Sequence, residues 1–184
     1  MQYATRFVAA AIAAMLLAPS AGSAASLDTG VTVRKPVRVV VAVSLRAGIA
    51  AFNREDYATA ARIFRVLAER GDAQAQAYLG FMYQTGKGVP QHHIVSAKWY
   101  HRAAKQGHPA AQQALGLLFD KGLGVPEDDV LAHKWINLAT SKASAREREH
   151  WARIRDNIAT KMTPVEIETA EELAHKWRPR QERW

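Results

Sequence analysis

A gapless internal repeat of 36 residues constrains this chain more than any other feature of its sequence. Residues 71–106 align on 107–142 with 12 identical pairs, where about two are expected from average composition. The identities hold register at unusual residue types. Gly86, Gly88, Val89 and Pro90 recur as Gly122, Gly124, Val125 and Pro126, and Trp99 recurs as Trp135. A fixed period in this range marks a solenoid, built from one supersecondary unit per repeat.

The unit reads as two helices. Ala75, Leu79, Met82 and Tyr83 stand at i, i+4, i+7 and i+8, one stripe of an amphipathic helix. The run Gly86-Lys87-Gly88-Val89-Pro90 then breaks it, because glycine suits a left-handed cap and proline stops propagation. Val95, Trp99 and Ala103 mark a second helix, ended by Gly107 and Pro109. Gly80 and Gly116 fall inside the first helix, where glycine costs up to about 1 kcal/mol against alanine. Their recurrence at one register predicts a helix crossing too close to admit a side chain.

These residues resemble the Sel1-like repeat family, which is related to the tetratricopeptide repeat. The carrying pattern is Ala73-x-Ala75-Gln76-x-x-Leu79-Gly80-x-x-Tyr83-x-x-Gly86-x-Gly88-Val89-Pro90, followed by Trp99-x-x-x-Ala103-Ala104. The second copy matches from Ala111 to Ala139, with Phe119 in place of tyrosine. Two departures stand out. His92 occupies the place of the usual aspartate helix cap, kept as Asp128 in the second copy, and Ser96 replaces an alanine, so a softer helix start is expected there.

Upstream, residues 44–70 resemble a tetratricopeptide hairpin with a tight Asn53-Arg54-Glu55-Asp56 turn. Downstream, Arg146 to Thr160 and Thr163 to Trp177 read as two further helices, and the run Met162 to Trp177 resembles the terminal cap of exported Sel1-like proteins. Thr163, Pro164 and Glu166 suit the N-cap, N1 and N3 positions of the second. The expected architecture is therefore an all-α solenoid of antiparallel helix hairpins. It comprises a hairpin at 44–70, repeats at 71–106 and 107–142, a C-terminal helical cap at 143–179 and a tail at 180–184. Residues 26–43 remain as an arm or linker; the β-branched run Val37 to Val43 fits an extended arm or the start of the first helix.

Residues 1–25 read as an export signal. Arg6 precedes twelve apolar residues, Phe7 to Ala18; Pro19-Ser20 breaks the run, and Ala21-Gly22-Ser23-Ala24-Ala25 offers small residues for cleavage. The run is shorter than the roughly 20 residues a membrane-spanning helix needs. A cleaved, periplasmic or secreted protein is expected, with a buried N-terminal helix as the alternative.

The chain has no cysteine, which removes disulfides, thiolate metal sites and cysteine nucleophiles together. Its formal charge of +8 is spread along the sequence, and no nucleic-acid partner is expected. Seven histidines invite a metal reading. His92-His93 is an adjacent pair, while His101, His108 and His133 lack a partner at i+4, and no zinc signature occurs. Glu147/His150 and Glu172/His175 repeat the Glu-x-x-His spacing of di-iron bundles, but the further glutamates of such a site are missing. No Gly-x-Ser-x-Gly or Ser-x-x-Lys appears, and Gly86-Lys87-Gly88 lacks the spacing of a phosphate loop. Neither cofactor nor metal is expected.

The resemblance implies a non-catalytic scaffold, adaptor or periplasmic regulator that binds a protein or peptide. The alternative is an enzyme or binding protein acting on cell-wall material, since some Sel1-like proteins are linked to penicillin binding. First helices of tetratricopeptide-like units line a concave face, which puts Gln74, Tyr78 and Phe81, with Ala114 and Leu117 of the next repeat, in a groove extended by Arg46 and Asn53. The competing expectation is that Tyr78 and Phe81 pack into the core. Lys176, Arg178, Arg180 and Arg183 cluster with Trp177 and Trp184; this end reads as a solvated tail, with contact to an anionic envelope surface of lipid or polysaccharide as the alternative.

Overall fold

The computed structural model describes residues 44–182. The expected export signal, the arm at 26–43 and the last two residues lie outside that span. Eight helices are found among the described residues: α1 (Leu45–Asn53), α2 (Tyr57–Glu69), α3 (Ala73–Thr85), α4 (His93–Lys105), α5 (Pro109–Lys121), α6 (Asp129–Lys142), α7 (Ala145–Ala159) and α8 (Pro164–Lys176). None of them is long and apolar enough to cross a membrane. Each helix from α1 to α6 packs on the next, and α8 packs back on α6, forming a helical-repeat solenoid.

The period runs further than the aligned copies. Helices α2, α4 and α6 begin at Tyr57, His93 and Asp129, each 36 residues after the last. The first hairpin keeps that spacing although its turn, Arg54-Glu55-Asp56, is much shorter than the glycine loops. Caps follow the sequence closely. Asp72 Oδ1 accepts from the Ala75 amide at 2.8 Å, and Asp128 Oδ1 accepts from the Leu131 amide at 2.8 Å. His92 makes no side-chain cap bond, the softer start expected there.

The glycine crossings pack as expected, with different partners. A Cβ on Gly80 would lie 2.8 Å from the Tyr100 ring, and one on Gly116 would lie 2.8 Å from Ile136, the equivalent residue. Ser96 joins the first crossing: its hydroxyl donates to the Gly80 carbonyl at 2.8 Å, so the buried serine is satisfied. The loop glycines join the hairpins to one another. A Cβ on Gly88 would lie 2.4 Å from the Tyr57 carbonyl oxygen, and one on Gly124 would lie 2.3 Å from that of His93. Both sit at positive φ, +71° and +76°. Each glycine loop thus lies directly on the first residue of the second helix in the preceding hairpin.

Three features depend on contacts beyond the repeat register. Trp99 and Trp135 hold the same register position, yet Trp135 is 4% exposed and Trp99 is only half-buried. The reason is what covers them: Trp177 meets Trp135 at 6.4 Å between ring centroids, whereas Trp99 has the Arg102 guanidinium over its ring at 4.6 Å. Second, α7 and α8 both use α6 as their main support. Trp151 and Ile158 of α7 pack on Ala132, Ile136 and Ala139, while the small Ala170 and Ala174 let α8 approach α6. Lys161 secures the turn between them, its ammonium 2.8 Å from Asp120 and 2.6 Å from Asp129.

Third, the segment after α8 is docked, which corrects the expectation of a solvated tail. The Arg180 amide donates to the Lys105 carbonyl at 2.8 Å. Glu182 then accepts from Arg102 Nε at 2.9 Å, Arg102 Nη2 at 2.6 Å and Gln76 Nε2 at 2.9 Å. Gln76 is fully buried and also donates to the Ala68 carbonyl, so the tail completes a polar network between repeats.

Candidate functional site

The first helices α1, α3 and α5 present one side to a hollow of about 540 Å³. Gln74, Tyr78 and Phe81 line it from α3, and Ala114 and Leu117 line it from α5, with Ala110 beside them. Five of the seven residues expected to share a groove are therefore together. Arg46 and Asn53 are not, and this part of the expectation is corrected. They stand at opposite ends of the nine-residue α1 and are exposed. Only Phe52 reaches the hollow from that helix, its ring 5.3 Å from Tyr78 and 5.9 Å from Phe81.

Tyr78 and Phe81 divide the two roles weighed for them. Tyr78 stacks on Phe64 of α2, with centroids 4.6 Å apart and planes within 7°, and so belongs partly to the core. Phe81 is 36% exposed and presents its ring to the hollow. Truncating Tyr78 would therefore disturb folding as well as the hollow, whereas Phe81 can be changed with less damage.

Sequence reasoning missed Tyr100, Gln84, Gln113, Ala77, His108 and Phe52. Tyr100 is instructive because it lies on a second helix. The bare backbone of Gly80 lets its ring cross to the inner side, where the hydroxyl donates to Gln84 Oε1 at 2.9 Å. Burial pushes the Tyr100 phenol well above the ordinary tyrosine range. The repeat alignment carried the signal: Gly80 recurs as Gly116, but Tyr100 becomes Ile136, so only the first crossing brings a polar group through.

His108 caps α5, its Nδ1 accepting from the Ala111 amide at 3.3 Å. Burial holds the imidazole below the ordinary histidine range, and Asp72 offsets this only in part. Burial and the accepting Nδ1 both favour the neutral imidazole, and no Asp, Glu, Lys or Arg side chain lines the hollow. Gln74, Gln84 and Gln113 supply amides, each with donors and an acceptor that match a peptide backbone. Phe81 and Leu117 supply the apolar part. Lys87 stands near the Phe81 ring, 5.9 Å from its centroid.

The Glu-x-x-His runs have other uses. Glu147 completes a capping box with Ser144, and Glu172 pairs with Lys176, while His150 and His175 are exposed. Among the described residues no three His, Asp or Glu side chains converge as metal ligands would.

Stacked helical hairpins around an uncharged inner hollow define a helical-repeat solenoid. The Sel1 repeat model matches residues 73–108 and 109–144. Solved structures that share the fold include the following two. A protective antigen present in uropathogenic Escherichia coli strains, displaying an SLR fold, is 31% identical with a TM-score of 0.66; the match covers 72% of this chain and 28% of that one. A Sel1 repeat protein from Oxalobacter formigenes is 34% identical with a TM-score of 0.51, covering 60% of this chain and 90% of that one. No curated protein sequence matches. The chain belongs to the Sel1 repeat family. Sel1 repeats generally mediate protein–protein interactions, and proteins built from them are generally non-catalytic scaffolds.

Proposed function

We propose that this protein is an exported, non-catalytic scaffold that holds an uncharged, largely apolar peptide segment of a partner protein in the hollow between α1, α3 and α5. The observation that carries the reading is the lining itself: the exposed Phe81 ring and Leu117 set among three glutamine amides, without a charged side chain. Such a surface favours apolar anchors and backbone hydrogen bonds and rejects charged segments, which would lose hydration without gaining a partner. The non-catalytic part is supported by the polar groups being already engaged. The Tyr100 hydroxyl is spent on Gln84 and the His108 Nδ1 on a helix cap. Export rests on the sequence of residues 1–25 alone.

Selection of peptides from a random library on the full chain tests the binding reading. Selected peptides are expected to be neutral and to carry apolar anchors. Phe81→Ser with Leu117→Ser should weaken them by about tenfold or more, since anchor side chains in such hollows contribute about 2 kcal/mol each. Leu117 also packs partly on the α6–α7 core, so the double change should lower the thermal midpoint, whereas Phe81→Ser alone should leave it nearly unchanged and still weaken binding. Acidic or basic selected peptides, or affinity indifferent to the double change, would refute the groove.

A further inference from the structure

The opposite side of the solenoid holds a second recess, of about 360 Å³, and its chemistry is the reverse of the first. Helix α4 contributes His101 and Lys105, α6 contributes Lys134, the end of α8 contributes Lys176, and the chain leaving it contributes Arg178 and Arg180. Two indoles, Trp135 and Trp177, complete the wall, and no acidic side chain lines it.

These charges are poorly compensated. Lys176 pairs with Glu172, and Glu182 is committed to Arg102 and Gln76. Among the described residues Lys105, Lys134, Arg178 and Arg180 have no ion-pair partner. The docked tail holds several of them in place. The Arg180 amide is tied to the Lys105 carbonyl, and Arg178 Nη1 donates to the carbonyls of His175 and Trp177, both at 2.7 Å. Lys134 is half-buried with its ammonium 4.7 Å from the Trp135 ring centroid. Burial holds that ammonium below the ordinary lysine range; burial, then Lys105 and Lys134, does the same to the His101 imidazole. Gathering like charges in a partly dehydrated recess is unfavourable until an anion arrives.

The wall narrows which anion. A bare oxyanion uses only the charges and has no use for an apolar surface. Trp177 is half-buried, with the Lys142 ammonium 5.0 Å from its ring centroid, and the remainder of its indole lines the recess. A ligand with a flat apolar face beside a carboxylate uses both features, and a pyranose ring carrying a carboxyl group has that form. We propose that this recess binds the acidic sugar units of a carboxylated glycan, the lysine and arginine heads holding the carboxylates and the Trp177 indole carrying the ring face. This site is separate from the peptide hollow and stands whether or not that reading holds.

The test is calorimetric titration of the full chain with a galacturonate trisaccharide, its methyl ester, tripolyphosphate and phosphatidylglycerol vesicles. The acidic trisaccharide should bind, and more weakly as salt is raised to about 0.15 M. Esterification, which keeps the rings and removes the charge, should weaken binding by about tenfold or more. Lys105→Gln with Arg180→Gln should do likewise; both side chains are exposed, so the thermal midpoint should hold, and Lys134→Gln provides an independent variant. Three results would overturn the proposal: no binding of the acidic trisaccharide, equal binding of its ester, or affinity unchanged in both variants. Tripolyphosphate or vesicles binding as tightly as the trisaccharide would overturn it too, replacing the sugar with a charge-only or membrane site.

Discussion

Residue by residue, equivalent positions in the two repeats do different work, and their neighbours decide which. Trp135 is sealed by Trp177, so Trp135→Ala should cost about 3–5 kcal/mol, as for other large-to-small core changes. Trp99→Ala should cost clearly less, because part of that ring already faces water. Urea unfolding of both variants measures the difference, and equal losses would contradict the unequal burial. Histidines give the molecule a pH dependence of definite sign. Burial lowers the folded-state pKa of both His108 and His133. The unfolded chain then binds more protons once pH falls towards about 6.5. The stability tied to their neutral forms is whole above that value and is lost as pH falls below it. The thermal midpoint should therefore drop on acidification from about pH 7.5 to 5.5. His108→Asn keeps a cap acceptor without the titration and should flatten that slope; an unchanged slope would remove His108 from the account.

Elements are joined by backbone contacts that leave little tolerance. Gly124 lies at φ +76° with its absent Cβ 2.3 Å from the His93 carbonyl oxygen, while Gly122, at φ +61°, has nothing nearer than 3.6 Å. Both alanine variants strain the backbone, but only Gly124→Ala must also push two hairpins apart. It should lose more stability than Gly122→Ala by about 1–3 kcal/mol, the usual range for overpacking. Chemical denaturation of the pair checks this directly. The docked tail is a second joint. Its pair, Arg102 with Glu182, is partly exposed, so Glu182→Ala should cost no more than about 1 kcal/mol. Faster hydrogen exchange at the Arg180 amide would be the more sensitive sign, since that amide bonds to Lys105 only while the tail is down.

The whole molecule depends on its terminal helices, because a solenoid leaves an apolar face open wherever it stops. Here α7 covers Ala132, Ile136 and Ala139 with Trp151 and Ile158. A chain ended after residue 144 keeps both full repeats and uncovers that face; it should aggregate or lose its cooperative transition. A soluble, cooperatively folding fragment would show that the cap is dispensable. Export belongs to this scale as well. Protein taken from its natural host should begin near Ala25 or Ser26, and an intact Met1 found by N-terminal sequencing would refute the signal reading.

The helices, their caps and the solenoid class were legible in the sequence because each is a local matter. Apolar spacing, glycine and proline breaks, and capping residues act within a few positions, and the 36-residue repeat multiplied their signal. Gln74, Phe81 and Leu117 could be placed on one face by helix periodicity for the same reason. What lies across the face could not be placed that way. Tyr100 reaches the hollow only because Gly80 opens a crossing between two helices, and Arg46 and Asn53 miss it because they stand at the two ends of α1, from which Phe52 alone lines the hollow. Trp177 and Glu182 find their partners 42 and 80 residues away, at Trp135 and Arg102. No periodicity encodes such contacts; they exist only once the hairpins have stacked and the tail has been carried back over them.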